Sequence, residues 1–145
     1  MDPQFSWQFD SDHINWHALA HLYRIAPLGN KTPEGLSLAY SNSMFKCIVS
    51  HDSQYIGAGR VLADGVDCAY ICDVAIHPDY QGAGLGKHIV SELLRFSAGH
   101  KKIILYAVPG KEAFYKKLGF KRMTTAMAIF EDQNNAFTMG YIDES

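Results

Sequence analysis

Residues Asp73 to Leu94, DVAIHPDYQGAGLGKHIVSELL, constrain the fold more tightly than any other stretch of the chain. An apolar run stops at Pro78, glycines crowd the next turn, and apolar residues then recur at helical spacing, which reads as a strand, a tight loop and a helix start. The first turn of a helix leaves backbone N–H groups unpaired at the positive end of the helix dipole, and glycines let an anion come close to them. The junction is therefore expected to hold phosphate oxygens, most simply a pyrophosphate.

The chain before this junction reads as two helices and a hairpin. Phe5, Trp7 and Phe9 alternate with polar residues as a short strand does, and Ser11 or Asp12 is expected to cap a helix from His13 to about Ile25. Thr32 caps a second helix that begins at Pro33 and runs through Leu36 and Leu38 to Tyr40, a ring that suits a pocket or the core. Phe45–Val49 and Tyr55–Leu62 form a hairpin, and Gly57 and Gly59 within it mark close packing or a bulge. Residues 67–77, DCAYICDVAIH, read as a central strand buried on both faces. Asp73 interrupts that run and must be paired, hydrogen-bonded or shifted in pKa, as a carboxylate at a functional site is, or else it satisfies backbone N–H groups at a strand irregularity.

After the junction, Leu85, Ile89, Val90, Leu93 and Leu94 line one side of a helix that Gly99 ends. IILYAV gives a strand parallel to the preceding one, since a helix lies between them. A short helix over 111–118, a final hairpin of Phe120–Arg122 with Ala126–Phe130, and a helical turn between Asp132 and Gly140 complete the expected elements.

At 145 residues and 48% apolar, the chain is expected to form one domain over residues 1–145 without metals or disulfides. A formal charge of −2 with mixed signs offers no basic stripe, so nucleic acid is an unexpected partner. Cys47, Cys68 and Cys72 lack metal or disulfide spacing and read as buried thiols. His13, His17 and His21 repeat every four residues, a spacing at which two histidines can bind a metal, but no third ligand of the required kind lies nearby in sequence, so no metal site is expected. The first ten residues lack a basic and apolar leader and no run is long enough to span a membrane, which points to a cytoplasmic protein with no membrane partner.

Spacing separates the known phosphate loops. A Walker loop needs glycine where Gln81 stands and Ser or Thr where His88 stands, and the dinucleotide fingerprint needs glycine at Lys87 or Ile89. What remains is Q-x-x-G-x-G, formed by Gln81, Gly84 and Gly86, followed downstream by AFYKKLGF at 113–120. In these two motifs, their order and their distance, the chain resembles the Gcn5-related N-acetyltransferase superfamily. The resemblance runs from the first strand to about Phe130 and is loosest in the two helices before Met44.

The resemblance implies an α/β (α+β) fold, with a mixed, mostly antiparallel sheet of six to seven strands, flanked by helices and splayed between strands four and five. It implies acetyl-CoA as cosubstrate. The pyrophosphate would lie on backbone N–H groups of Gln81, Gly82, Ala83, Gly84, Leu85, Gly86 and Lys87, and the pantetheine arm beside Val74, Ala75 and Ile76, on a strand carrying a bulge. Tyr115 takes the family's position for the acid that protonates the leaving thiolate. Phe114 is assigned to the cofactor site, although its ring serves equally well as core. Asp73 is the candidate for removing a proton from the acceptor ammonium or for holding that ammonium by charge. The expected function is transfer of acetyl from acetyl-CoA to a primary amine of a small molecule. A non-catalytic acetyl-CoA-binding regulatory module and a protein or peptide N-acetyltransferase are the alternatives. A homodimer through the last hairpin is also within the family's habits.

Overall fold

The computed structural model describes residues 5–144. The chain gathers into two compact units, Met1–Leu105 and Tyr106–Ser145. The first holds a five-stranded sheet in the order β1-β2-β3-β4-β5. Its strands are β1 (Ser6–Gln8), β2 (Phe45–His51), β3 (Gln54–Ala63), β4 (Cys68–Ile76) and β5 (Lys102–Ile104). All neighbours are antiparallel except β4 and β5. Helices α1 (Trp16–Ile25) and α2 (Pro33–Ser41) lie between β1 and β2 in sequence, and α3 (Leu85–Phe96) lies between β4 and β5. Among the described residues, no helix is long and apolar enough to cross a membrane.

Local chemistry accounts for most boundaries. The α1 cap is Asn15, whose side chain accepts from the Ala18 N–H at 3.1 Å; the helix starts later than the expected His13, which instead sits at φ 58° in a turn. Only His17 and His21 of the three histidines therefore lie on the helix. Thr32 caps α2 as expected, its hydroxyl accepting from the Gly35 N–H at 3.0 Å, with Pro33 in the first turn. Asp52 and Ser53 join β2 to β3 with φ values of 50° and 63°, the paired positive angles that suit the right-handed twist of a hairpin.

The two faces of the sheet are filled by different helices. Ile48, Ala58 and Ala75 pack with Leu19, Leu22 and Tyr23 of α1 and Leu36 and Tyr40 of α2. Gly57 and Gly59 point the other way, toward α3: a Cβ on Gly57 would stand 2.6 Å from Ile89 Cδ1, and one on Gly59 would stand 2.9 Å from Leu93 Cδ1. The two glycines thus set how closely α3 lies on the sheet, the structural role read from their positions. Leu85, Ile89, Val90 and Leu93 are almost fully buried there, each burial worth on the order of 2 kcal/mol.

Two expectations change. β4 is not buried on both faces: Ala69, Ile71 and Ala75 are buried, while the residues between are half-exposed. The sheet also has five strands rather than six to seven, because residues 120–130 form no strand. A strand needs a partner and a face to bury, yet Met127 and Ile129 are 91% and 95% exposed. The expected dimer edge at Ala126–Phe130 is accordingly not a strand.

The second unit contains α4 (Glu112–Lys117) and α5 (Gln133–Thr138). Asp132 caps α5, accepting from the Asn135 N–H at 2.9 Å, where a helical turn was expected. Tyr106, Phe130 and Tyr141 form an aromatic cluster with ring centres 5.5–6.0 Å apart.

Candidate active site

β4 changes character at its midpoint. Parallel pairing with β5 covers Cys68, Ala69 and Tyr70 only, so beyond Tyr70 the strand parts from β5, the splay expected of the sheet. On its other side β4 pairs with β3 throughout, but Arg60 faces Cys72 whereas Ala58 faces Ala75, which puts one extra residue into β4. This is a bulge. Asp73 lies in it at φ 57°, a left-handed conformation uncommon for any residue but glycine. The bulge leaves Val74 against the α3 face, with Cγ2 3.3 Å from where a Cβ of Gly59 would be, and brings the Asp73 carboxylate to Arg60 on the opposite face.

A turn of 3-10 helix, Pro78–Tyr80, separates β4 from the glycine loop. Gln81 Nε2 donates to the Ile76 carbonyl at 3.3 Å, so this side chain ties the loop to the end of β4. Gly82 and Gly84 have φ values of 84° and 85°, and nothing lies within 4 Å of a Cβ built on either. Gly84 caps α3 without a side-chain hydrogen bond, and His88 N–H makes the bond to its carbonyl at 3.1 Å. The N–H groups of Leu85, Gly86 and Lys87, one turn earlier, are left for an outside acceptor. Leu85 and Ala75 can offer only backbone there, because their side chains are in the core.

Asp73 stands at the centre of a network. Arg60 Nε donates to Oδ2 at 2.9 Å, Lys31 Nζ lies 3.2 Å from Oδ1, and Arg60 also donates to Ser43 Oγ at 3.2 Å. From below, the Tyr40 hydroxyl donates to that of Tyr23 at 2.5 Å, which donates to the Asp73 carbonyl at 2.6 Å. Both tyrosines are fully buried, and burial pushes both phenols up, so they stay protonated as donors. An open cleft of about 220 Å³ lies above, lined by Lys31, Thr32, Gly35, Leu36, Ala39, Arg60 and Asp73.

Sequence reasoning singled out Asp73 and missed its partners. The signal was available in part: Arg60 is the one charge in the apolar run of β3, and a buried carboxylate requires a cation or donors. Lys31 and the Tyr23–Tyr40 pair come from helices and carry no spacing that announces them.

Tyr115 lies on α4 in the second unit, half-buried, between the rings of Phe114 and Phe120 at 5.0 and 5.9 Å. Burial raises its phenol pKa, which preserves the proton an acid must give.

The model of the acetyltransferase (GNAT) family matches residues 12–120. The chain belongs to the acetyltransferase (GNAT) family. A relative from Prochlorococcus marinus, the uncharacterized N-acetyltransferase ycf52-like, is 43% identical over 88 residues, 57% of this GNAT chain and 49% of the relative. Rice serotonin N-acetyltransferase 2, chloroplastic, is 39% identical over 124 residues, 80% of this chain and 61% of its own. The chain thus spans about half the length of the first of these relatives. A GNAT family acetyltransferase from Streptococcus pneumoniae TIGR4 superposes with a TM-score of 0.72 at 21% identity, covering 88% of this chain and 99% of that one, which shows a common fold.

Proposed function

We propose that this GNAT chain transfers the acetyl group of acetyl-CoA to a primary amine of a small molecule by direct attack. The observation that carries the reading is the start of α3, which no side chain caps, placed one turn and a glycine loop after a bulged strand whose far half does not pair with β5. The loop offers N–H groups of residues 82–87 to the pyrophosphate, the expected Gln81 N–H being taken instead by the Pro78 carbonyl at 3.4 Å, and the edge of β4 at Val74–Ile76 offers backbone to the pantetheine arm. In the reaction the amine nitrogen bonds to the acetyl carbon and the carbon–sulfur bond breaks. Two protons leave the ammonium nitrogen in all: one passes to solvent, and the other is balanced by the proton that ends on sulfur. A backbone N–H of the β4 edge polarises the thioester oxygen as its charge develops. Tyr115 protonates the thiolate, an assignment that rests on its place in the AFYKKLGF motif. Asp73, whose two oxygens already face cations, anchors the acceptor in the cleft instead of serving as a free base.

Thiol release from acetyl-CoA over a panel of arylalkylamines, polyamines, amino acids, amino sugars and peptides tests the reading. Turnover with a small amine supports it. Tight acetyl-CoA binding with no thiol release from any amine or peptide contradicts it and favours a regulatory module.

A further inference from the structure

The charges lining the cleft bear on the kind of amine it accepts. Lys31 and Arg60 bring two positive charges, and Asp73 brings one negative charge, which leaves the wall one positive charge in excess. Glu34, in the first turn of α2, is not among the lining residues. The remaining wall is Thr32, Gly35, Leu36 and Ala39, which add no charge. Arg60 is held from two sides, by the Asp73 carboxylate and by the Ser43 hydroxyl. Lys31 is held less firmly. Its ammonium carries three donors and meets one carboxylate oxygen at 3.2 Å, besides lying 5.3 Å from the Tyr23 ring centre, and its side chain is 28% exposed.

A plain amine arrives as an ammonium ion near neutral pH. To reach Asp73 it must compete with two resident cations for one carboxylate, and it leaves Lys31 unpaired beside another positive charge. An amine that also carries an acid group meets the opposite situation. Its ammonium takes the place of Lys31 at Asp73 Oδ1, and its acid takes the Lys31 ammonium. The Lys31–Asp73 pair becomes two pairs, so neither ammonium is left unpaired, and the excess stays at one positive charge where a plain amine would raise it to two. The cleft, at about 220 Å³, is below the usual size of drug-like pockets, which suits a compact molecule.

We propose that the acceptor is a small amine bearing a carboxylate or phosphate, with its acid group on Lys31 and its ammonium on Asp73. This rests on the N-acetyltransferase reading and deepens it. Lys31 is then a specificity-determining residue that touches the substrate away from the reacting nitrogen.

The test compares matched pairs that differ only in the acid: tyrosine against tyramine, 4-aminobutyrate against butylamine, and glucosamine 6-phosphate against glucosamine. The acidic member of at least one pair is expected to show roughly tenfold higher kcat/KM, carried mainly by KM, as a charge-assisted contact in a partly solvated cleft gives. The carboxylate and phosphate arms distinguish the two sources of acid. Lys31→Gln is expected to erase the preference by raising KM for the acidic member, and Lys31→Arg to keep most of it. Faster acetylation of the plain amine in every pair, with Lys31→Gln without effect on the ratio, overturns the proposal while leaving the acetyltransferase reading intact. Should no amine be acetylated, that reading fails instead, and calorimetry of the same pairs in the presence of CoA still decides the cleft: selective, Lys31-dependent binding of the acidic members supports it, and equal or absent binding overturns it.

Discussion

Asp73 shows how a single residue links the sheet to the cleft. Its backbone is held in a left-handed conformation by the bulge and by the donated hydroxyl of Tyr23, and its side chain neutralises Arg60 in half-buried surroundings. Asp73→Asn keeps the shape but leaves Arg60 without its counter-ion, so it is expected to cost about 2 kcal/mol of stability, read from urea unfolding, besides lowering turnover. Tyr115→Phe is expected to lower kcat about tenfold to a hundredfold while acetyl-CoA affinity stays within twofold. Burial raises the Tyr115 pKa, so its proton is retained through the neutral and mildly alkaline range. The pH profile of kcat/KM should therefore rise as the acceptor ammonium loses its proton and show no alkaline fall from Tyr115 below about pH 10; Tyr115→Phe should lower the plateau without moving the rising limb. The thiols respond to the same physics. Burial pushes Cys47 up to about 12 and Cys72 up to about 11, so neither should react with iodoacetamide at about pH 8 in the native protein, and both should after unfolding, as read by mass spectrometry. At this scale, Asp73 was legible as an oddity in an apolar strand. Its partners were not, because contacts between α1, α2, β3 and β4 depend on how the helices lie on the sheet.

At the level of elements, the β4–loop–α3 junction was the most legible part of the chain. Proline, positive-φ glycines and a helical stripe are local signals, and each acts within a few residues. The bulge was expected only through the family resemblance, since one extra residue in a strand leaves no mark in an apolar run. The start of α1 was misjudged for a related reason: Ser11, Asp12 and Asn15 all suit a cap, and the turn at His13 selects Asn15. The packing of α3 on Gly57 gives a sharp test. Gly57→Ala places a methyl 2.6 Å from Ile89 Cδ1 and should cost about 1–3 kcal/mol in denaturant unfolding; Ile89→Val removes that methyl and should recover part of the loss in the double variant.

Across the whole chain, legibility falls toward the C-terminal end. The first four strands were legible as strands, β1 by alternation, β2 and β3 as a hairpin and β4 as an apolar run, and the structure orders them so that each pairs with its sequence neighbour. The stretch 120–130 alternates well enough to suggest a hairpin, yet alternation reports only that a strand is possible, and Met127 and Ile129 find no face to cover. The glycine loop is built from neighbours in sequence and so was legible, whereas the cleft joins Lys31 and the start of α2 to Arg60 and Asp73 of the sheet, a juxtaposition that only the packing of helices on the sheet creates. Whether the glycine loop holds the acetyl donor is tested by titrating acetyl-CoA into the protein by calorimetry, with Gly84→Val beside it as the loop variant. Saturable binding to the native chain is expected, and at least a hundredfold weaker binding to the variant, whose side chain is strained at positive φ and so disturbs the turn that sets the first N–H groups of α3. Equal affinity in a variant that remains folded by circular dichroism would contradict it.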